Sequence, residues 1–263
     1  MCNNVINNIK TQLNIKPDNS RNLLLTIRYD GTNYHGWQIQ SNAMTVQEVF
    51  QNAVSSIFGY CPDIKGCSRT DSGVHADMYC ISMKINSNMD CYKIMGALNA
   101  HLPHDIAVYD CRQVSDDFHA RYSCKGKQYV SYFYNNPARN PFYDKYALHY
   151  PAKLDEILLN KCAQDFLGTY DCTALCSIKS DIEDTVRTIT QAKVERNNDI
   201  VTFTVSADGF LYNMVRIMAG TLIRIAQGKF DINCIKNIIE SKNRKFAGPT
   251  APAHGLFLTK VFY

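Results

Sequence analysis

The sequence predicts an α+β protein whose two related halves share a mostly antiparallel sheet, with a cleft between them. Segments with strand-like and helix-like patterns alternate along the chain, and hairpin signals lie among them. The second part of the chain then repeats the order of elements found in the first. This arrangement favours an antiparallel sheet with helices packed against it. We place a flexible N-terminal tail at residues 1–20, one half at residues 21–115 and the other at residues 116–263.

The first half begins with a short apolar strand at Leu23–Arg28. Thr45 and Glu48 have the spacing of a capping box, which predicts that a helix starts at Thr45. Gly59 stands where a glycine commonly ends a helix. Polar and apolar residues alternate over Tyr79–Ile85, a pattern typical of a half-buried strand.

A second helix and a further strand complete the first half. Asp90 is expected to cap this helix, because aspartate is favoured at the first position of a helix. Pro103 is expected to stop it, because proline cannot continue a helix. The strand at Ile106–Val114 follows.

The second half opens with a strand at Lys127–Asn135 that is rich in β-branched and aromatic residues. An amphipathic helix is expected at Leu154–Leu167, and Gly168 ends it. A hairpin is predicted to turn at Asn197–Asp199, between two strands with alternating patterns.

A long helix, a short helix and a strand close the chain. The long helix ends at Gly228 and its inward face is formed by Met214, Ile217, Met218, Thr221, Leu222 and Ile225. A last helix is expected from Asp231. The segment Leu256–Tyr263 is predicted to be a strand.

The composition narrows the classes of protein to which the chain can belong. Its 263 residues are 46% hydrophobic and 20% charged, which suits a folded globular protein. No apolar run approaches the roughly 20 residues that span a bilayer, and the Asn-rich start lacks the apolar block of a signal peptide. The 11 cysteines are scattered without a Cys-x-x-Cys motif. We therefore expect a cytoplasmic protein with reduced thiols, and neither a membrane span nor a metal site.

The net charge of +4 is too small to establish a nucleic-acid partner by itself. A polyanion could still bind if basic side chains gather on one face, whereas ordinary solvated charges are the alternative. The basic residues considered for such a face are Arg121, Lys125, Lys127, Arg139, Arg216 and Arg224.

The segment Ser68–Ala76, SRTDSGVHA, places the carboxylate of Asp71 in a glycine-bearing turn beside an arginine. Three interpretations are open. Asp71 can be a solvated turn residue, since Asp, Ser and Gly are ordinary in turns. It can belong to the Asp-Ser-Gly motif of an aspartic protease, which needs a second carboxylate to share a proton. It can also be a nucleophilic carboxylate that a nearby arginine keeps ionised.

The residues around Asp71 disfavour the protease. The chain contains no second Asp-Ser-Gly or Asp-Thr-Gly, so only a dimer with Asp71 on its twofold axis would supply the pair. Arg69 would then oppose proton sharing, because a cation favours the ionised carboxylate. An ionised nucleophile suits attack on a sugar carbon or on an electron-poor base ring. The aromatic strand at Lys127–Asn135 offers rings that would stack on a flat substrate, although such rings can equally belong to the core.

The segment RTDSGVHA resembles the Arg-Thr-Asp-Ala-Gly-Val-His motif of the TruA-type tRNA pseudouridine synthases. The resemblance runs from Leu23 to the C-terminus and includes further segments in the family's order. These segments are YDGTNYHGWQIQ, TVQEVFQNAV, LNAHLPHDIAV, DDFHARYS, KQYVSYFYN, FLYNMVRIMAG and APAHGLFLTKVFY.

The resemblance implies an isomerase that detaches uracil from its ribose, rotates it and rejoins it through carbon, without a cofactor. By the motif match, Asp71 is the catalytic carboxylate, whether it attacks ribose C1′, adds to the base at C6 or abstracts a ribose proton. Tyr129 matches the tyrosine that stacks on the uracil and helps the proton transfer at C5. Arg216 matches the arginine that pairs with the catalytic aspartate.

The same match assigns further residues to substrate binding. Arg69 corresponds to the residue that helps displace the target nucleotide from its helix. Displacement is needed because the glycosidic bond cannot be reached inside a stacked stem. The other residues assigned to substrate binding are Thr70, His75, Arg121 and Lys127.

In this family, two ferredoxin-like halves join their sheets, and homodimers grip tRNA with both subunits. The resemblance therefore implies a homodimer that binds the anticodon arm of tRNA and modifies uridines on its 3′ side, at tRNA positions 38–40. Ser68, Ser72 and Ser131 depart from the family's pattern. The alternative is thus an altered or inactive tRNA-binding member of the same fold.

Overall fold

The computed structural model describes residues 20–177 and 184–263. The predicted tail at residues 1–20 therefore lies outside the described residues, apart from Ser20, which begins the first strand. The strands are β1 (Ser20–Tyr29), β2 (Ile64–Gly66), β3 (His75–Asn86), β4 (Ile106–Val114), β5 (Gly126–Tyr134), β6 (Leu148–His149), β7 (Gly168–Asp171), β8 (Val186–Asn197), β9 (Ile200–Ala207) and β10 (Leu256–Phe262). The α-helices are α1 (Val46–Phe58), α2 (Cys91–His101), α3 (Glu156–Ala163), α4 (Met214–Ala226) and α5 (Cys234–Glu240).

The strands of the described chain join in one sheet, in the order β4-β1-β3-β10-β5-β9-β8-β7, with β2 paired to β3 and β6 to β5. The pairs are antiparallel except for β3 with β10 and β5 with β6. Strands from the two parts of the chain meet where His75 and Ala76 pair with Phe257 and Leu258. These pairings confirm a mixed α+β fold with a large, mostly antiparallel sheet. Its description as two related ferredoxin-like halves, divided at residue 115, stays a prediction.

The start and stop signals of α1 act as the sequence predicts. Thr45 Oγ1 accepts a hydrogen bond from the Glu48 amide at 3.4 Å. Gly59 ends the helix with a left-handed φ of 74°, a conformation that glycine adopts without the steric cost of a Cβ atom. In α4, the six residues expected to face inward are all buried. Both helices therefore follow from local signals and from the spacing of apolar residues.

Other helix boundaries differ from the prediction because of hydrogen bonds at the helix starts. Asp155 accepts a hydrogen bond from an amide of the first turn at 2.9 Å, so α3 starts one residue after it. This helix also ends early, and Gln164–Phe166 forms a separate 3₁₀ turn. Asp231 accepts from an amide two residues further on at 2.7 Å, within a turn that precedes α5. Asp90 stands before α2, but its side chain makes no capping hydrogen bond.

The strand predictions are confirmed where the pattern is long enough. β8 and β9 join at the predicted hairpin, where Asn198 has a left-handed φ of 52°. The strand predicted at Tyr79–Ile85 is longer than expected, since β3 begins at His75. The short strands β2, β6 and β7 were not predicted, because segments of two to four residues are too short to show alternation.

The structure describes the helix lengths and the cysteines for residues 20–177 and 184–263. No helix in these ranges is long and apolar enough to cross a membrane. None of the ten cysteines described there forms a disulfide bond. Burial raises the pKa of the Cys80 thiol to about 11, so this side chain is a neutral packing group at pH 7.

Candidate active site

The turn that carries Asp71 is held by backbone hydrogen bonds to a neighbouring loop. The Trp37 amide donates to the Thr70 carbonyl at 3.2 Å, and the Gly73 amide donates to the Tyr34 carbonyl at 3.1 Å. Within the turn, an amide three residues on donates to the Asp71 carbonyl at 3.1 Å. The loop after β1 and the turn before β3 therefore form one unit. This unit fixes the backbone of Asp71.

Gly36 permits the close approach of the loop and the turn. A Cβ atom at this position would lie 2.3 Å from the Thr70 carbonyl oxygen, and the φ of Gly36 is +85°. The Thr70 side chain also faces the protein, because its hydroxyl shares a 2.8 Å hydrogen bond with the Tyr29 hydroxyl. Thr70 thus lines the cleft, but its hydroxyl is bonded to Tyr29 and helps to hold the turn in place.

The carboxylate of Asp71 forms an ion pair with Arg216 in the first turn of α4. Arg216 Nη1 lies 3.1 Å from Asp71 Oδ2, and their side chains are 18% and 23% exposed. Arg216 Nε also donates to the Ala251 carbonyl at 2.7 Å, and Nη1 donates to Asn213 Oδ1 at 2.7 Å. The buried apolar face of α4 anchors this end of the helix. The guanidinium is therefore fixed before any substrate binds.

Tyr129 of β5 lies at the same cleft, with 6% of its surface exposed. The Phe210 ring packs against it edge to face, with 5.1 Å between the ring centres. Burial raises the pKa of the Tyr129 phenol well above its usual value, and the negative charge of Asp71 raises it further. The phenol is therefore protonated at neutral pH and can donate a hydrogen bond.

A cleft of about 1000 Å³ is lined by residues from both parts of the chain. This volume is at the upper end of ligand pockets, which span about 300–1,000 Å³. It has room for a nucleotide. The predicted site residues that line it are Asp71, Tyr129, Arg216, Arg69, Thr70, Arg121 and Lys127.

His75 is the predicted site residue that the structure keeps away from the cleft. Its ring is fully buried, Nδ1 accepts from the Gly31 amide at 3.0 Å, and Nε2 lies 3.0 Å from the Lys145 carbonyl. Burial lowers the pKa of His75, so the neutral ring that accepts from Gly31 is favoured. Both ring nitrogens therefore have hydrogen-bond partners within the protein. His75 does not line the cleft and instead pairs with Phe257 where β3 meets β10, so its assignment to substrate binding stays a prediction.

The basic side chains at the cleft outnumber the acidic ones. The basic residues that line it are Arg69, Arg121, Lys127, Arg187 and Arg216, and the acidic residues are Asp71 and Asp208. A cleft with this excess of positive charge attracts a polyanion. Of the residues considered for a basic face, Lys125, Arg139 and Arg224 do not line the cleft.

Tyr122, Phe210 and Asn213 are among the cleft residues that were not singled out from the sequence. Tyr122 and Phe210 provide aromatic surface, and Asn213 contacts Arg216. Each lies within a segment that carries the resemblance and that also contains a residue with an assigned role, either Arg121 or Arg216. That proximity is the signal by which they could have been found.

This chain is similar in sequence to tRNA pseudouridine synthases along most of its length. The model of the family described as tRNA pseudouridine synthase matches residues 25–123 and 162–263. A tRNA pseudouridine synthase A from Acetivibrio thermocellus is 45% identical over 243 residues, which are 92% of this chain and 100% of that protein. Proteins of the same name from Thermoanaerobacter sp. (strain X514) and Caldicellulosiruptor saccharolyticus are 42% and 43% identical, again over 92% of this chain and 100% of theirs.

Proposed function

The chain belongs to the tRNA pseudouridine synthase family and is an isomerase, and we propose that it converts uridine to pseudouridine in tRNA. The observation that carries this proposal is the ion pair between Asp71 and Arg216 beside Tyr129, in a positively charged cleft. A partly buried carboxylate with a fixed guanidinium suits a nucleophile or base that must be ionised.

The proposed reaction balances without a further reactant. The bond between ribose C1′ and uracil N1 breaks, a bond between C1′ and C5 forms, the C5 proton leaves and N1 gains a proton. Asp71 can act by attack on C1′, by addition to C6 or by removal of a ribose proton. Each of these routes needs the ionised carboxylate that Arg216 accompanies.

Tyr129 suits the proton transfer that completes the reaction. Because its phenol is protonated, it can accept the C5 proton only while it passes its own proton to another group. We therefore assign it a relay role, together with a stacking surface for the displaced uracil. Asp71 is an acceptor in the same cleft.

We further propose that the substrate site is on the 3′ side of the anticodon stem-loop and that the enzyme acts as a cytoplasmic homodimer. The positive cleft supports binding of the RNA backbone, and the rest of this assignment is what the resemblance implies. Displacement of the base from its stem is needed to bring the glycosidic bond to Asp71. Arg69 is exposed at the cleft, in a place suited to that displacement.

Mapping the product on an unmodified tRNA transcript tests this assignment. We expect pseudouridine on the 3′ side of the anticodon stem-loop and loss of product when those uridines are replaced by cytidine. Product elsewhere in the tRNA would contradict the site assignment. Binding of tRNA without any product would support the alternative, an inactive tRNA-binding member of the fold.

Tyr122 gives a separate test of RNA binding by the cleft. Its side chain is 78% exposed at the cleft, and the His119 ring packs against it at 4.3 Å. His119 Nδ1 also accepts from the Arg121 and Tyr122 amides at 3.0 and 3.3 Å, which fixes this turn. A fixed, exposed ring beside an arginine is suited to stack on an RNA base.

We expect Tyr122→Ala to weaken tRNA binding by about 1–3 kcal/mol, because base–aromatic stacking has this magnitude. Tyr122→Phe keeps the ring and should bind as wild type does. Tyr92→Ala is the matched control, since Tyr92 is 80% exposed on α2 and does not line the cleft. The dissociation constants of the three variants are the measurement. Equal effects of the Tyr122→Ala and Tyr92→Ala changes would show that Tyr122 makes no specific contact.

A further inference from the structure

Asn213, immediately before α4, has an uncommon backbone conformation. Its φ is +61° and its ψ is 8°, in the left-handed region. Non-glycine residues rarely adopt this region, and they persist there when the surrounding structure requires it. Asparagine is among the residues that tolerate it best. The hydrogen bonds of the Asn213 side chain show what this conformation achieves.

The two ends of the Asn213 amide have different partners. Oδ1 accepts from Arg216 Nη1 at 2.7 Å, and Nδ2 donates to Ser177 Oγ at 2.9 Å. Arginine can only donate hydrogen bonds, so the oxygen of the amide must face Arg216 and the nitrogen must face Ser177. The Ser177 amide also donates to the Tyr212 carbonyl at 3.1 Å, which ties this segment to the wall of the cleft.

The hydrogen bonds of Arg216 show what Asn213 contributes. Nη1 carries two hydrogens, and its two acceptors are Asn213 Oδ1 and Asp71 Oδ2. Nε is held by the Ala251 carbonyl at 2.7 Å. Two neutral acceptors thus set the plane of the guanidinium. The remaining Nη1 hydrogen is aimed at the carboxylate of Asp71.

We propose that Asn213 is a positioning residue, which orients Arg216 against Asp71 through the hydrogen-bonded series Ser177–Asn213–Arg216. The inference rests on the proposed function, because it assigns Asn213 a role in that reaction. The left-handed backbone turns the side chain back toward the first turn of α4. Asn213 acts on the reaction through Arg216 and does not itself react.

Substitution with glycine tests the role of the Asn213 side chain separately from the role of its backbone conformation. Asn213→Gly keeps a residue that adopts positive φ readily and removes the amide. Asn198→Gly is the matched control, because Asn198 also has a positive φ of 52° but lies in the β8–β9 hairpin and does not line the cleft. Asn198→Gly should unfold at the same denaturant concentration as wild type, or at a higher one. Asn213→Gly should unfold at a lower concentration, because it loses two partly buried hydrogen bonds, but should be fully folded without denaturant.

We expect Asn213→Gly to lower kcat by about 10- to 100-fold, the effect of losing a hydrogen bond to a charged group. The dissociation constant for tRNA should not change, since Arg216 keeps its charge. Asn198→Gly should have the turnover and the tRNA affinity of wild type. Normal kcat in Asn213→Gly would overturn the assignment.

A double-mutant cycle distinguishes positioning of Arg216 from an independent role. If Asn213 acts through Arg216, Asn213→Gly should have almost no further effect on single-turnover rates in an Arg216→Leu background. If the rate loss of the double variant equalled the product of the two single-variant losses, the inference would be overturned. Wild-type protein that forms no pseudouridine would overturn the proposed function and this inference together. Normal turnover in wild type and in Asn213→Gly would overturn only the inference.

Discussion

Replacing Asp71 with asparagine should abolish pseudouridine formation while the protein still folds and binds tRNA. Asparagine has the size of aspartate and keeps an oxygen that accepts from Arg216, but it removes the charge and the nucleophile. Turnover should fall by on the order of 10⁴-fold or more, as when a reacting carboxylate or nucleophile is removed from other enzymes. Single-turnover product formation, tRNA affinity and denaturant unfolding are the three measurements.

The matched control for Asp71→Asn is Asp77→Asn. Asp77 lies in β3 with an exposed side chain and a 3.6 Å contact to Arg28, and it does not line the cleft. This control should retain wild-type turnover. If Asp71→Asn also retained turnover, Asp71 would be a turn residue and the proposed chemistry would be wrong. If it failed to fold, Asp71 would have a structural role.

Replacing Arg216 with leucine should lower turnover by two to three orders of magnitude. The change leaves Asp71 without its partner in a partly closed cleft and also removes hydrogen bonds to Asn213 and Ala251. Breaking a buried ion pair costs about 3–5 kcal/mol, and a smaller loss is expected here because the pair is partly exposed. About 1.4 kcal/mol on the chemical step corresponds to one decade in rate.

Arg224→Leu is the control for Arg216→Leu, since both arginines belong to α4. Arg224 lies in the last turn of the helix, donates to Gln227 at 3.1 Å and does not line the cleft. This variant should turn over as wild type does. Near-normal turnover in Arg216→Leu would mean that the guanidinium has no part in the reaction.

The sequence predicts those elements of the fold that carry strong local signals. The capping pair Thr45 and Glu48 and the hairpin around Asn198 are found where they were expected. The predicted starts of α3 and α5 are too early. Asp155 caps α3, and Asp231 lies in a turn before α5, and the spacing of apolar residues shows neither feature. The short strands depend on pairing with distant segments, which no local pattern predicts.

For the candidate site too, the sequence predicts some features and the structure alone shows others. The motif around Asp71 predicts a catalytic carboxylate that pairs with Arg216, and the structure places the two side chains 3.1 Å apart. The position of His75 away from the cleft could not be predicted, because a motif gives the order of residues and not the direction of each side chain. His75 opens β3, where neighbouring side chains point to opposite faces of the sheet. The contact between Asn213 and Arg216 depends on a left-handed residue that the sequence alone does not indicate.

The central claim is that Asp71 performs the isomerisation of uridine in tRNA. Release of tritium from tRNA labelled at C5 of uridine tests it most directly, because the C5 hydrogen is lost whenever the carbon-linked product forms. Wild-type protein should release tritium, and Asp71→Asn should release none above background at equal tRNA occupancy. Release by the Asp71→Asn protein, or no release by wild type, would contradict the claim.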